Sequence, residues 1–194
     1  MNARQQSIQV LGSEAGRMIK PMIAFVAFLW FVEITDRLLF GSSLDQLGIV
    51  PREYIGLRGV LFAPFLHGSF SHLAANTVPL VILGVLVMLR NRERFVAIAA
   101  VIVLISGIGT WLIGPAHTVH IGASGLVFGF FAYLLVSAWY ERSLAAVFLA
   151  VLIVFLYGSM LVGILPAANA ISWQGHIFGL IGGGLAAYWY SPRG

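Results

Sequence analysis

Six runs of about 20 mainly apolar residues recur along the chain, each long enough for an α-helix to cross a hydrocarbon core of roughly 30 Å. They extend from about Met18 to Leu39, Leu73 to Leu89, Phe95 to Ile113, Ala123 to Tyr140, Ala145 to Leu165 and Ile171 to Tyr190. Backbone N–H and C=O groups find no water inside a bilayer, so each such segment must satisfy them itself, as a helix. The expected fold is therefore all-α, a polytopic membrane protein of six transmembrane helices. Of the 194 residues 60% are hydrophobic and only 9% charged, against about a quarter charged in soluble domains. The first run is too long for a signal-peptide core and has no small-residue cleavage site, so it reads as a retained helix.

The formal charge of +4 does not point to a nucleic-acid partner, because the 11 basic residues stand singly or in one short loop cluster. They follow the membrane instead. Arg4, Arg17, Lys20, Arg90, Arg92, Arg94, Arg142 and Arg193 fall on one side of the predicted spans, and only Arg37, Arg52 and Arg58 on the other, partly offset by Asp36, Asp45 and Glu53. The positive-inside rule then places both termini in the cytoplasm. With no cysteine, disulfides, thiolate metal sites and a cysteine nucleophile are excluded.

The last five spans are joined by connections of roughly five to ten residues, which makes successive helices antiparallel neighbours. The chain reads as a single domain over 1–194, with a cytoplasmic tail over about 1–17 and a long external loop over about 40–71. That loop carries Tyr54, Leu61, Phe62 and Phe65 and is too apolar for a free linker. It is expected to lie on the membrane surface.

Polar side chains at membrane depth must face the bundle interior or water, and they mark function. His67 and His72 lie at the external mouth of the second span, with Asn76 one turn further in. Ser124 opens the fourth span within Gly122-Ala123-Ser124-Gly125, where unpaired helix N–H groups can stabilise a neighbouring oxyanion. His176 stands just inside the sixth, in Gly175-His176-Ile177-Phe178-Gly179. Gly175, Gly179 and Gly183 form a small-residue face, answered on the fourth span by Gly125 and Gly129. Close approach of these two helices would bring the Ser124 hydroxyl to the His176 imidazole, a nucleophile and base without an orienting acid. Structural readings compete: Ser124 as a helix cap, His176 as a buried histidine bonded to a carbonyl, Asn76 as a cross-link between helices. The glycine face is assigned to packing, Glu33, Arg37 and Asp36 to a structural ion cluster, and His117 and His120 to a loop without a role.

In their order and spacing these residues resemble the rhomboid intramembrane serine proteases. His72-Leu73-Ala74-Ala75-Asn76 is similar to the family's His-x-x-x-Asn, Gly122-Ala123-Ser124-Gly125 to its nucleophile motif, and Gly175-His176-Ile177-Phe178-Gly179 to that of its histidine. Ala63 to Phe70 is similar to the family's approach to the second helix. The likeness covers about the whole chain and fits the minimal six-helix bacterial form in the inner membrane. It implies Ser124 as nucleophile, His176 as general base, and His72, Asn76 and the Ser124 N–H as oxyanion hole, with Gly122, Gly125, Phe128, Gly175, Gly179 and His67 as structural neighbours. It implies no metal or other cofactor, and substrates that are transmembrane helices entering sideways and cut near the external face; with no carboxylate to orient His176, turnover is expected to be slow. Two positions depart from the pattern: Phe128 stands where many members carry Tyr, and Leu57-Arg58 where the loop often holds Trp-Arg. The alternatives are a catalytically inactive relative that binds or escorts transmembrane helices, a haem or metal carrier using His72 and His176, and a small-molecule transporter.

Overall fold

The computed structural model describes residues 3–166 and 172–191, with side chains from residue 16 onward. Seven α-helices dominate it: α1 (Ala3–Thr35), the single turn α2 (Gly59–Phe62), α3 (Phe70–Asn91), α4 (Phe95–Ile113), α5 (Ser124–Glu141), α6 (Leu144–Tyr157) and α7 (Trp173–Tyr190). Among the described residues the one β-type contact is an isolated antiparallel bridge between Ile49 and His120. The fold is the all-helical bundle expected from the sequence.

Among the described residues five segments are long and apolar enough to cross a membrane: Gly16–Phe40, Phe70–Asn91, Phe95–Ile113, Ser124–Glu141 and Leu144–Ile164. They match the first five expected spans. The sixth corresponds to α7, whose expected start at Ile171 lies outside the described residues, as does Arg193 of the charge count. α7 has 18 residues, as α5 does, but falls short of the same apolarity because glycine, Gln174 and His176 fill its inner face. A helix packed against α4 and α5 meets protein on that face rather than lipid, so it need not be uniformly apolar.

Burial ranks the helices. α5 is the central strut, with Phe130, Phe131, Tyr133 and Leu134 all but inaccessible, and α4 and α7 pack along it. α1 leans on α3, where Met22 fills the space beside Gly84. The fifth span, Leu144–Ile164, of which α6 is the α-helical part, is the outermost, with the smallest buried share of the five, and α6 rests chiefly on α5. Two boundaries differ from expectation. α3 begins at Phe70 rather than after His72, because the Ser69 hydroxyl accepts the His72 N–H at 3.1 Å and caps the helix earlier. The fifth span is α-helical only to Tyr157 and continues as a tighter 3₁₀ segment, Gly158–Ile164, since glycines at 158 and 163 weaken the α form.

The long loop is folded. Short helical turns occupy Leu44–Leu47, Tyr54–Arg58 and Ala63–Phe65, and Tyr54, Ile55, Leu61 and Phe62 are exposed along it. An apolar surface of that kind suits the lipid interface. No Trp-Arg pair is needed to hold it: the Arg52 guanidinium donates to the Leu112 and Gly114 carbonyls at 3.2 and 2.7 Å, at the C-terminal end of α4 where a cation is favoured. The Trp111 indole N–H donates to the Glu53 carbonyl at 2.9 Å, and the Arg58 guanidinium to the Gln46 carbonyl at 3.0 Å. Glu33 and Arg37 pair at 2.7 Å, and Arg37 also reaches the Gly68 carbonyl, tying α1 to the start of α3.

Candidate active site

The site lies where the N-terminal ends of α3, α5 and α7 meet. Ser124 is the first residue of α5. The chain reaches it through Gly122, whose φ of +121° lies outside the range of L side chains and whose added Cβ would meet the His72 imidazole at 2.7 Å. Only glycine lets the loop turn there and touch His72. The Gly122 N–H donates to the Ala63 carbonyl at 2.8 Å and the Ala123 N–H to His67 Nε2 at 3.2 Å. Among the described residues the Ser124 N–H, by contrast, meets no acceptor, as expected in the first turn of a helix.

The α5–α7 seam sets the distance across the site. A Cβ on Gly179 would come within 2.4 Å of the Gly125 carbonyl oxygen, and one on Gly183 within 2.0 Å of that of Gly129. The two small-residue faces therefore meet backbone to backbone. Seated this way, His176 Nε2 lies 2.9 Å from Ser124 Oγ. His176 Nδ1 lies 2.8 Å from the Gly163 carbonyl, and Phe128 stacks on the imidazole with ring centroids 4.1 Å apart and planes within 10°.

These contacts fix the tautomer. A carbonyl oxygen only accepts, so Nδ1 carries the proton and donates to Gly163, leaving the Nε2 lone pair to accept the Ser124 hydroxyl. A backbone carbonyl takes the orienting position that an acid fills in a triad. Gly163 is absent from the sequence reading, and nothing in the sequence marks it, because any residue supplies a carbonyl.

His72 and Asn76 line the same open cavity as Ser124 and His176, a space of about 1140 Å³ that also touches Pro79, Phe128, Leu156, Tyr157 and Met160. The Asn76 amide N–H₂ donates one hydrogen to the His72 carbonyl at 3.0 Å and keeps the other. His67 is buried beneath, its ring edge-on to His72 at 5.2 Å. Burial, and next the neighbouring His72, push its pKa down to about 3, so it accepts from Ala123 as a neutral ring. Gly175 is braced through its carbonyl, which accepts from the Ser106 hydroxyl on α4 at 2.9 Å. His120 differs from the role-free loop residue of the sequence reading: it is buried, and bonded to Thr118 and Ser172. A second hydroxyl or imidazole partner carries no motif, so only the fold reveals it. No group of three or more His, Asp or Glu side chains converges among the described residues.

A model of the Rhomboid domain matches residues 56–193, which takes in every residue of this site. The chain belongs to the rhomboid family. It is 45% identical over 175 residues to an uncharacterized protein of Mycobacterium tuberculosis, covering 86% of this chain and 72% of that one. It is 33% identical over 168 residues to RHOMBOID-like protein 5 of Arabidopsis thaliana, covering 78% and 53% respectively. It is 30% identical over 124 residues to YdcA of Bacillus subtilis, a protein named as a rhomboid protease, covering 63% and 62%.

Proposed function

We propose that this rhomboid-family membrane protein is an intramembrane serine endopeptidase that cuts transmembrane-helix substrates near the external face with a Ser124–His176 dyad. The observation that carries the reading is the directed contact from Ser124 Oγ through the imidazole to the Gly163 carbonyl, at 2.9 and 2.8 Å. Neutral His176 takes the Ser124 proton as Oγ attacks the scissile carbonyl. The resulting oxyanion lies beside the free Ser124 N–H and within reach of His72 and the spare Asn76 hydrogen. Collapse expels the amine, which takes its proton from His176, and water entering through the open cavity hydrolyses the acyl-enzyme by the same steps. Phe128 keeps the imidazole plane in place by stacking, which the lost tyrosine hydroxyl does not affect.

A helical substrate reaches this cavity from the side. The cavity is bounded by α3 at Ala75 and Pro79 and by α6 at Leu156 and Tyr157, and α6 has the least to hold it in place. The test is covalent labelling by a fluorophosphonate. Native protein is expected to label, Ser124→Ala not at all, and His176→Ala about 10²- to 10⁴-fold more slowly, the range ascribed to a general base. Equal labelling of all three would leave an escort that binds helices without cutting them.

A further inference from the structure

One histidine outside the reacting pair ties together the two segments that carry it. His120 stands four residues ahead of Ser124, and Ser172 stands four residues ahead of His176, at the N-cap of α7. His120 Nδ1 is 2.7 Å from Ser172 Oγ, and His120 Nε2 is 2.9 Å from Thr118 Oγ1.

The direction of each bond follows from the next. The Thr118 hydroxyl donates its one proton to the Pro115 carbonyl at 2.7 Å, so toward His120 it accepts, and Nε2 carries the hydrogen. In a neutral imidazole Nδ1 then accepts, and the Ser172 hydroxyl donates to it. The Ser172 oxygen is left to accept the Gly175 N–H, at 3.4 Å. The bonds run one way, from the amide before His176 to the loop before Ser124. Burial lowers the His120 pKa and favours the neutral ring that this chain needs. The backbone of His120 is fixed as well, its N–H and C=O each bonded to Ile49 at 2.9 Å.

Magnitudes assign the weight. At 3.4 Å, and with Ser172 at φ −75° and ψ 73° rather than in the extended region of a strong N-cap, the capping bond alone holds the first turn of α7 loosely. The 2.7 Å bond to His120 is the shorter and stronger restraint on Ser172. We propose that His120 is a positioning residue which, acting through Ser172, sets the first turn of α7 and hence the approach of His176 to Ser124. The inference rests on the serine-protease reading. A misplacement of about 1 Å can cost on the order of 10²-fold in rate, so a tether at this point has leverage.

Asparagine and glutamine separate the two halves of the tether. At position 120 an Asn oxygen stands near the place of Nδ1 and can still accept from Ser172, whereas a Gln amide stands near Nε2 and can serve only Thr118. The experiment compares kcat and KM on a model transmembrane substrate, together with fluorophosphonate labelling rates, for native protein, H120N, H120Q, H120L and S172A. Expected is near-native kcat for H120N, a loss of about tenfold or more for H120Q, H120L and S172A, and an unchanged KM throughout. A Gln variant that matches or surpasses the Asn variant, or an S172A protein with native kcat, would overturn the proposal, because the loop side of the tether would then suffice. Lack of Ser124-dependent labelling in the native protein would remove the protease reading, and this proposal with it, before any variant is compared.

Discussion

At the residue scale the proposed reacting pair, Ser124 and His176, is oriented by a backbone group. Proteases on other folds use a buried carboxylate to hold the tautomer of the base, and here the Gly163 carbonyl accepts the Nδ1 proton while Phe128 clamps the ring. A neutral carbonyl stabilises a developing imidazolium less than a carboxylate does, which accounts for the expected slow turnover. The proposed oxyanion partners differ: Asn76 has one hydrogen committed to the His72 carbonyl, whereas the His72 ring is uncommitted among the described residues. His72→Ala is thus expected to lower kcat by about 10²- to 10³-fold with little change in KM, and Asn76→Ala to do so less, measured on a transmembrane substrate. Equal KM increases without a kcat effect would move both residues into substrate binding. His67 yields a stability prediction. Its folded pKa of about 3 lies below the unfolded 6.5, so the folded state binds fewer protons, and stability is full above pH 6.5 and falls as pH drops toward 3. Between pH 7 and 5 the loss is about 2 kcal/mol from this group. His67→Gln, which keeps an acceptor for the Ala123 N–H and does not titrate, should flatten that acid limb in thermal melts. An unchanged limb would assign the acid sensitivity elsewhere.

At the scale of elements, what the sequence displays is periodicity and spacing. Glycines at 175, 179 and 183 opposite 125 and 129 announce a helix seam, and the structure seats them against each other's backbone. Ser124, His176, His72 and Asn76 were legible because motifs at fixed offsets fall on helix ends, where side-chain placement follows from the helix itself. Gly163, Ser172 and His120 were not, because they stand in a 3₁₀ segment, at a helix cap and in a loop, and no motif marks a backbone carbonyl or a hydroxyl–imidazole contact there. The seam makes its own prediction. Gly183→Ala puts a methyl 2.0 Å from the Gly129 oxygen and must push α5 and α7 apart, whereas a Cβ on Gly184 meets nothing within 4 Å. The first is expected to lower the melting temperature and the labelling rate together, at a cost of about 1–3 kcal/mol, and Gly184→Ala to change neither. If Gly183→Ala labels like native protein, the seam does not set the Ser124–His176 distance.

On the scale of the whole molecule, charge and burial point to one orientation in the membrane. Arg90 lies in the last turn of α3, Arg92 and Arg94 in the turn to α4, and Arg142 follows α5, all at the end away from the site. The three arginines at the site end are held within the protein: Arg37 by Glu33 and Gly68, Arg52 by the carbonyls closing α4, Arg58 by Gln46. They secure the loop; at the other end Arg90 pairs with Glu141, and the cluster as a whole stands where cytoplasmic arginines set topology. We propose that the cavity opens outward and the α3–α4 turn faces the cytoplasm. The absence of cysteine makes this direct to test, since one introduced thiol is the only one present. Glu53→Cys, at a polar side chain exposed on the loop, is expected to react with a membrane-impermeant maleimide in intact cells. Glu93→Cys, exposed in the α3–α4 turn, should react only in inverted vesicles. The reverse pattern would turn the molecule over and place the cleavage site in the cytoplasmic leaflet, where a substrate would be cut on the other side of its span.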